Sequence, residues 1–112
     1  NGEVVTSWPE NPQETNLCGL AQVVRHPSRD ELALLYTGSS VIVLLEWNGS
    51  SFSEKTRFTA SELPGLNQPI SAAFIETENE ESNLHVAMQG SRQIARLQLT
   101  PVNETFYQTR FP

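Results

Sequence analysis

The stretch Leu84-His85-Val86-Ala87-Met88-Gln89-Gly90-Ser91-Arg92-Gln93-Ile94-Ala95-Arg96-Leu97-Gln98-Leu99-Thr100 reads as two short apolar strands around a tight glycine turn. Residues Leu32 to Trp47 repeat it without a gap: Leu32 falls on Leu84, Gly38 on Gly90 and Ile42 on Ile94, each pair 52 positions apart (84 less 32). A period of that length points to modular β architecture before any catalytic motif is considered.

Outward from the hairpin, both units show the same order. Leu17 to Arg25 alternates as a strand and closes at His26-Pro27-Ser28-Arg29-Asp30, a turn. After the first hairpin, Asn48-Gly49 is the sequence signal of a primed two-residue turn, and Phe52 to Phe58 is the outgoing strand. The second unit runs through a strand from Ile70 to Thr77, an acidic loop from Glu78 to Asn83, the hairpin, a turn from Pro101 to Glu104 and a strand from Thr105 to Phe111. Val23-Val24 aligns with Phe74-Ile75 at a spacing of 51, and Thr56-Arg57-Phe58 with Thr109-Arg110-Phe111 at 53, so insertions fall in turns. Near the N-terminus, Thr6-Ser7-Trp8-Pro9 resembles Thr109-Arg110-Phe111-Pro112. The expected organisation is residues 1–16, the last strand of a preceding repeat plus a loop; 17–58, repeat 1; 59–69, a linker with at most one helical turn; and 70–112, repeat 2.

Four-stranded antiparallel repeats of about 50 residues suit the blades of a β-propeller. The pattern within the strands agrees. Val43/Ala95, Leu45/Leu97 and Trp47/Leu99 form one apolar face, while Ile42/Ile94, Leu44/Arg96 and Glu46/Gln98 form a mixed one. Middle strands apolar on both faces fit sheets stacked on neighbours at each side. The alternative all-β architecture is a two-sheet β-sandwich, which suits the length equally.

The segments Leu84-His85-Val86-Ala87 and Val41-Ile42-Val43-Leu44-Leu45-Glu46-Trp47-Asn48-Gly49-Ser50-Ser51-Phe52 resemble the EAR (epitempin, EPTP) repeat. In the second unit Gln98-Leu99-Thr100 replaces the Glu-Trp-Asn of that signature. Pro69-Ile70, Leu84-His85-Val86-Ala87 and Arg92-Gln93-Ile94 are similar to the NHL propeller repeat, without the Asp and Asn that usually precede that Ile. Both resemblances imply a propeller. The first also implies adhesion or receptor binding. The second implies an enzyme whose catalytic residues lie near the central channel and come mostly from further blades, a reading that His85, Arg92 or Arg96 near a channel metal would support.

The net charge is −6 with no Lys/Arg cluster, which argues against nucleic acid or an anionic membrane as the main partner. The longest apolar run, Val41 to Leu45, is far shorter than the roughly 18 residues a membrane helix needs, so no membrane insertion is expected. A start at Asn1 without a signal peptide is expected of a processed product or an excerpt of a longer chain. Cys18 is the single cysteine, read as a small buried side chain or as a half-cystine paired outside this segment.

Two Asn-x-Ser/Thr acceptors, Asn48-Gly49-Ser50 and Asn103-Glu104-Thr105, fall in the turn between third and fourth strands of their units and predict glycosylation at Asn48 and Asn103 on one rim. His26 opens a turn, and His85 stands in a strand where repeat 1 has Ala33; neither has the spacing of a metal cluster. Glu76, Glu78, Glu80 and Glu81 crowd a loop that lacks the glycine of a calcium site and reads as solvated. Trp8 and Trp47 read as packing residues. No residue is assigned a catalytic or metal-binding role, and no cofactor is expected. The expected function is an extracellular protein-binding or adhesion module, secreted or on a cell-surface ectodomain. It would act with further blades from the same chain or other copies. Alternatives are part of an NHL-like propeller enzyme or a small self-assembling lectin.

Overall fold

The structure is a computed structural model that describes Trp8, Pro9 and residues 17–63, 65–76 and 82–99, and the backbone of residues 104–110. Within these residues strands are the only regular elements: β1 (Leu20–Arg25), β2 (Glu31–Tyr36), β3 (Val41–Trp47), β4 (Phe52–Thr59), β5 (Pro69–Glu76), β6 (Ser82–Met88), β7 (Gln93–Leu99) and β8 (Glu104–Arg110). They form two four-stranded antiparallel sheets with strand orders β1-β2-β3-β4 and β5-β6-β7-β8. The chain is thus all-β, and each sheet is one unit of the repeat. No helix among the described residues is long and apolar enough to cross a membrane. Ser82 and Asn83, read from sequence as the end of the acidic loop, already belong to β6. The strand expected within residues 1–16 lies outside the described residues except for Trp8 and Pro9.

The repeat is written into the turns as well as the strands. Ser40 and Arg92, 52 positions apart, both take a positive φ, 53° and 56°, at the end of the central hairpin turns. Gly19 and Gln68 form a second such pair, at 75° and 52°. The carbonyl of Gly19 accepts a hydrogen bond from Thr37 N at 2.8 Å, and that of Gln68 from Gln89 N at 2.9 Å, so each first strand is latched onto its hairpin turn in the same way. The turn glycines serve a purpose other than dihedral freedom. A Cβ at Gly38 would lie 2.8 Å from Cys18 Sγ and 2.9 Å from its carbonyl oxygen, so it is the close approach of the entering chain that requires glycine here.

Strand register corrects the sequence alignment of the outer strands by two residues. Val23 pairs with Leu34 and Ala72 with Val86, so Val23 is equivalent to Ala72 at a spacing of 49, not to Phe74 at 51. Both first strands carry a bulge at the same place, between Leu20 and Gln22 and between Pro69 and Ser71. On the far side, Arg57 opposes Val43 and Gln108 opposes Ala95, so Arg57 is equivalent to Gln108. An error of two residues preserves the face on which each side chain stands, and the expected faces therefore stand although the pairing moves.

The way the sheets stack follows from those faces. In the first sheet Ala33, Leu35, Ile42, Leu44 and Phe58 face the second sheet. They meet Leu84, Val86, Met88, Ala95 and Leu97, which are the counterparts of Leu32, Leu34, Tyr36, Val43 and Leu45. In the first sheet those counterparts stand on the opposite face, where they form a second cluster covered in part by Trp8, Leu17 and Phe52. Unlike faces of two equivalent sheets are therefore in contact. The sheets approach most closely along β1, β2 and β5. Gln22 Oε1 accepts from Ala72 N at 2.7 Å there, and Thr37 Oγ1 donates to the Pro69 carbonyl at 2.7 Å. The segment between the sheets is more than a linker: one turn is closed by Leu63 N donating to Thr59 O at 2.9 Å, and Leu66 is buried in the core between the sheets.

Candidate functional site

One end of the sheet pair gathers the β1–β2 turn, the β3–β4 turn, the end of β5 and the start of β6. There His26, which the sequence placed merely at the start of a turn, is fully enclosed. Its own backbone N donates to the Glu31 carbonyl at 2.9 Å, fixing the turn. Its Nδ1 accepts from the backbone N–H groups of Ser28, at 3.1 Å, and Arg29, at 3.0 Å. A nitrogen that accepts two donors carries a lone pair, so the ring proton resides on Nε2 and is donated to Ser82 Oγ at 2.7 Å. The ring also packs on Phe74 of the second sheet, with centroids 4.8 Å apart. Burial holds the imidazole below its ordinary pKa, against the opposing pull of the Glu31 and Glu76 carboxylates; Arg29 and Lys55 push the same way as burial.

Ser82, His26 and Glu76 have the composition of a hydrolytic triad without its proton geometry. Glu76 Oε1 lies 3.6 Å from Nδ1, yet that nitrogen has no proton to give it, and the carboxylate instead accepts from Ser28 Oγ. In a working triad the acid accepts from Nδ1–H and the other nitrogen takes the proton of the serine. Here Nε2 is already a donor to Ser82, and the arrangement acts as a clasp between the two sheets. Sequence reasoning missed it because the partners are 56 positions apart. A local signal did exist: His26 is followed by backbone donors two and three residues later, the same cap that Asn48 makes in its turn.

Asn48 is exposed at the same end. Its Oδ1 accepts from Ser50 N and Ser51 N, both at 2.9 Å, and from Ser50 Oγ at 3.1 Å, while its backbone N donates to Ser51 O at 3.1 Å. The two central turn residues are thus Gly49 and Ser50, with Gly49 at φ 103°, rather than the Asn48-Gly49 pair expected from sequence. Trp47 packs on Phe52 beside the turn, the rings tilted by 55° with centroids 4.7 Å apart, and both are half-buried. Asn103 lies outside the described residues, in the connection between Leu99 and Glu104 that corresponds to residues 48–51.

Other sequence candidates lie apart. His85 is half-buried on the outer face of the second sheet, paired with Ala73 and Arg96. Cys18 is free and exposed at the other end, which corrects the expectation of a small buried side chain. Glu78, Glu80 and Glu81 lie outside the described residues, and among those described no three His, Cys, Asp or Glu side chains are placed to hold a metal ion. Around the clasp, Glu31 is buried and bonded to Lys55 Nζ at 2.9 Å, with Arg29 at 4.0 Å. Compared with known protein families and with curated proteins, the chain matches none.

Proposed function

We propose that this chain is a segment of a β-propeller in a secreted or cell-surface protein, and that it binds a protein ligand or receptor through the loops at the ends of its sheets. The observation that carries the reading is the contact of unlike faces. Sheets that follow one another around an axis present the same two faces in turn, whereas a sandwich closes by bringing its two inner faces together. The close approach of β1 to β5 also supports it, since the first strands of successive blades converge on the channel. The EAR-like segments supply the adhesive part of the proposal. His26, which a hydrolytic reading would need, has both ring nitrogens committed to structural hydrogen bonds.

Asn48, exposed and held in its turn, is the first glycan acceptor, and Asn103 the second. Glycans there leave the opposite end, with the turns 37–40 and 89–92, for the ligand. The test is expression of the chain through a secretory pathway, followed by glycosidase treatment with mass analysis and binding to a panel of cell-surface ectodomains. Glycan at Asn48, with binding weakened by Arg92→Glu and unaffected by Asn48→Gln, is the expected result. Absence of glycan at Asn48 together with absence of any ectodomain binding overturns the proposal.

A further inference from the structure

The contact between the two sheets has an equivalent on each outer side of the pair. Inside the pair, Gln22 and Val24 of β1 meet Ala72 and Phe74 of β5. One repeat forward, Gln22 becomes Ser71 and Val24 becomes Ala73, and both are exposed beside Ile75. One repeat back, Ala72 becomes Val23, exposed beside Leu20. Leu20, Val23, Ile70 and Ile75, at 53%, 52%, 43% and 46%, are the large exposed hydrophobics among the described residues, and all four belong to β1 or β5. On the first sheet, among the described residues, Trp8, Leu17 and Phe52 pack over the outer face of β2 and β3, while Leu20 and Val23 of β1 stay exposed. On the second sheet Ala73 and Ile75 are joined by half-buried His85, Ala87 and Ile94.

We propose that a second copy of this chain docks head to tail on these surfaces, with Ser71, Ala73 and Ile75 of one copy against Val23 and Arg25 of the next and Leu20 beside them. The inference deepens the propeller proposal and rests on the same stacking. Continuity with the internal interface selects this arrangement over a symmetric one: there, too, an outward face of one first strand meets the opposite face of another. A contact between unlike patches is heterologous and continues until rotation closes it or the chain of copies ends. It is weaker than the internal contact, because the ring pair His26–Phe74 is replaced at the equivalent positions by Ile75 and the Arg25 of the next copy. Assembly is therefore concentration dependent.

Sedimentation velocity of the full chain over a hundredfold range of concentration tests this. The wild type is expected to gain mass with concentration. Val23→Asp and Ile75→Asp are each expected to be monomeric throughout with an unchanged thermal melt; Leu20→Lys replaces the first should its melt fall. Mixing V23D with I75D leaves one intact head facing one intact tail, so the mixture is expected to form dimers and nothing larger. A wild type that stays monomeric, assembly that survives either substitution, or a mixture that stays monomeric overturns the proposal. A monomeric wild type that still carries glycan and binds an ectodomain would remove the self-docking and leave the proposed function standing.

Discussion

Ile42 and Ile94 occupy the same position of the repeat, yet Ile42 is sealed between the two sheets while Ile94 lies half-buried on the outer face of the second. The difference belongs to the stack and not to the strands, since both residues stand four positions after equivalent turn glycines and on the same side of their sheet.

Truncation should expose that asymmetry. Ile42→Ala opens a cavity in a closed core and is expected to cost about 2–5 kcal/mol, whereas Ile94→Ala, with solvent on one side, should cost about 1 kcal/mol or less. Urea unfolding of the two variants, read by intrinsic fluorescence, gives both numbers. Equal losses would mean that the outer face is covered.

The clasp predicts a pH dependence of known sign. With the folded-state pKa of His26 lowered, the unfolded chain binds more protons once pH falls below the ordinary histidine value of about 6.5. The stability that the neutral ring contributes is complete above that pH and declines as pH drops toward the folded-state value. The urea midpoint should therefore fall between pH 7 and pH 5, and His26→Gln should flatten that part of the profile.

Removal of the hydroxyl partner gives an independent check. Ser82→Ala leaves the enclosed Nε2–H without an acceptor and is expected to cost about 1–3 kcal/mol at neutral pH. A loss below a few tenths of that range in denaturant titration would show that the bond contributes little.

The two turn glycines should respond unequally to a methyl group. At Gly38 the new Cβ meets Cys18, including its backbone carbonyl, whereas at Gly90 it meets only the end of the Asn67 side chain, which is exposed and can swing away. Gly38→Ala is expected to cost about 1–3 kcal/mol and Gly90→Ala under about 1 kcal/mol. Thermal melts of the pair decide it.

At the hairpin ends, Ser40 and Arg92 hold a left-handed backbone that glycine adopts without penalty. Arg92→Gly is therefore expected to change stability by no more than about 1 kcal/mol, in the stabilising direction where relief of strain exceeds the added chain entropy. Ser40→Gly also removes the Oγ that accepts from Gln68 N at 3.0 Å and is expected to destabilise by about 0.5–1.5 kcal/mol. Calorimetric melting temperatures check the sign.

Much of this molecule was legible in its chain. The 52-residue period, the eight strands of the two units and the side on which each middle-strand residue stands all follow from spacing and from the period of two. The outer strands escape sequence alignment because a shift of two residues leaves the alternation of faces unchanged. In addition, the connections from β1 to β2 and from β5 to β6, counted between equivalent residue pairs, differ in length, and β4 carries a bulge between Glu54 and Thr56 that β8 lacks. His26 escaped for another reason: Ser82 and Phe74 reach it only once the sheets are stacked. The same holds for Leu66, read as part of a linker and found in the core.

By itself, then, the sequence determined local matters: strand, turn and repeat, because alternation and turn chemistry act between near neighbours. Tertiary structure alone decided which of two apolar faces each sheet turns to the other, which of two similar glycines meets backbone and which a movable side chain, and which histidine is enclosed. Those outcomes depend on the burial of surfaces that lie some 50 residues apart in the chain, and hydrophobic attraction carries no direction of its own. Direction comes from the close approach of β1 to β5 and from the hydrogen bonds of Gln22, Thr37 and His26 that span the gap.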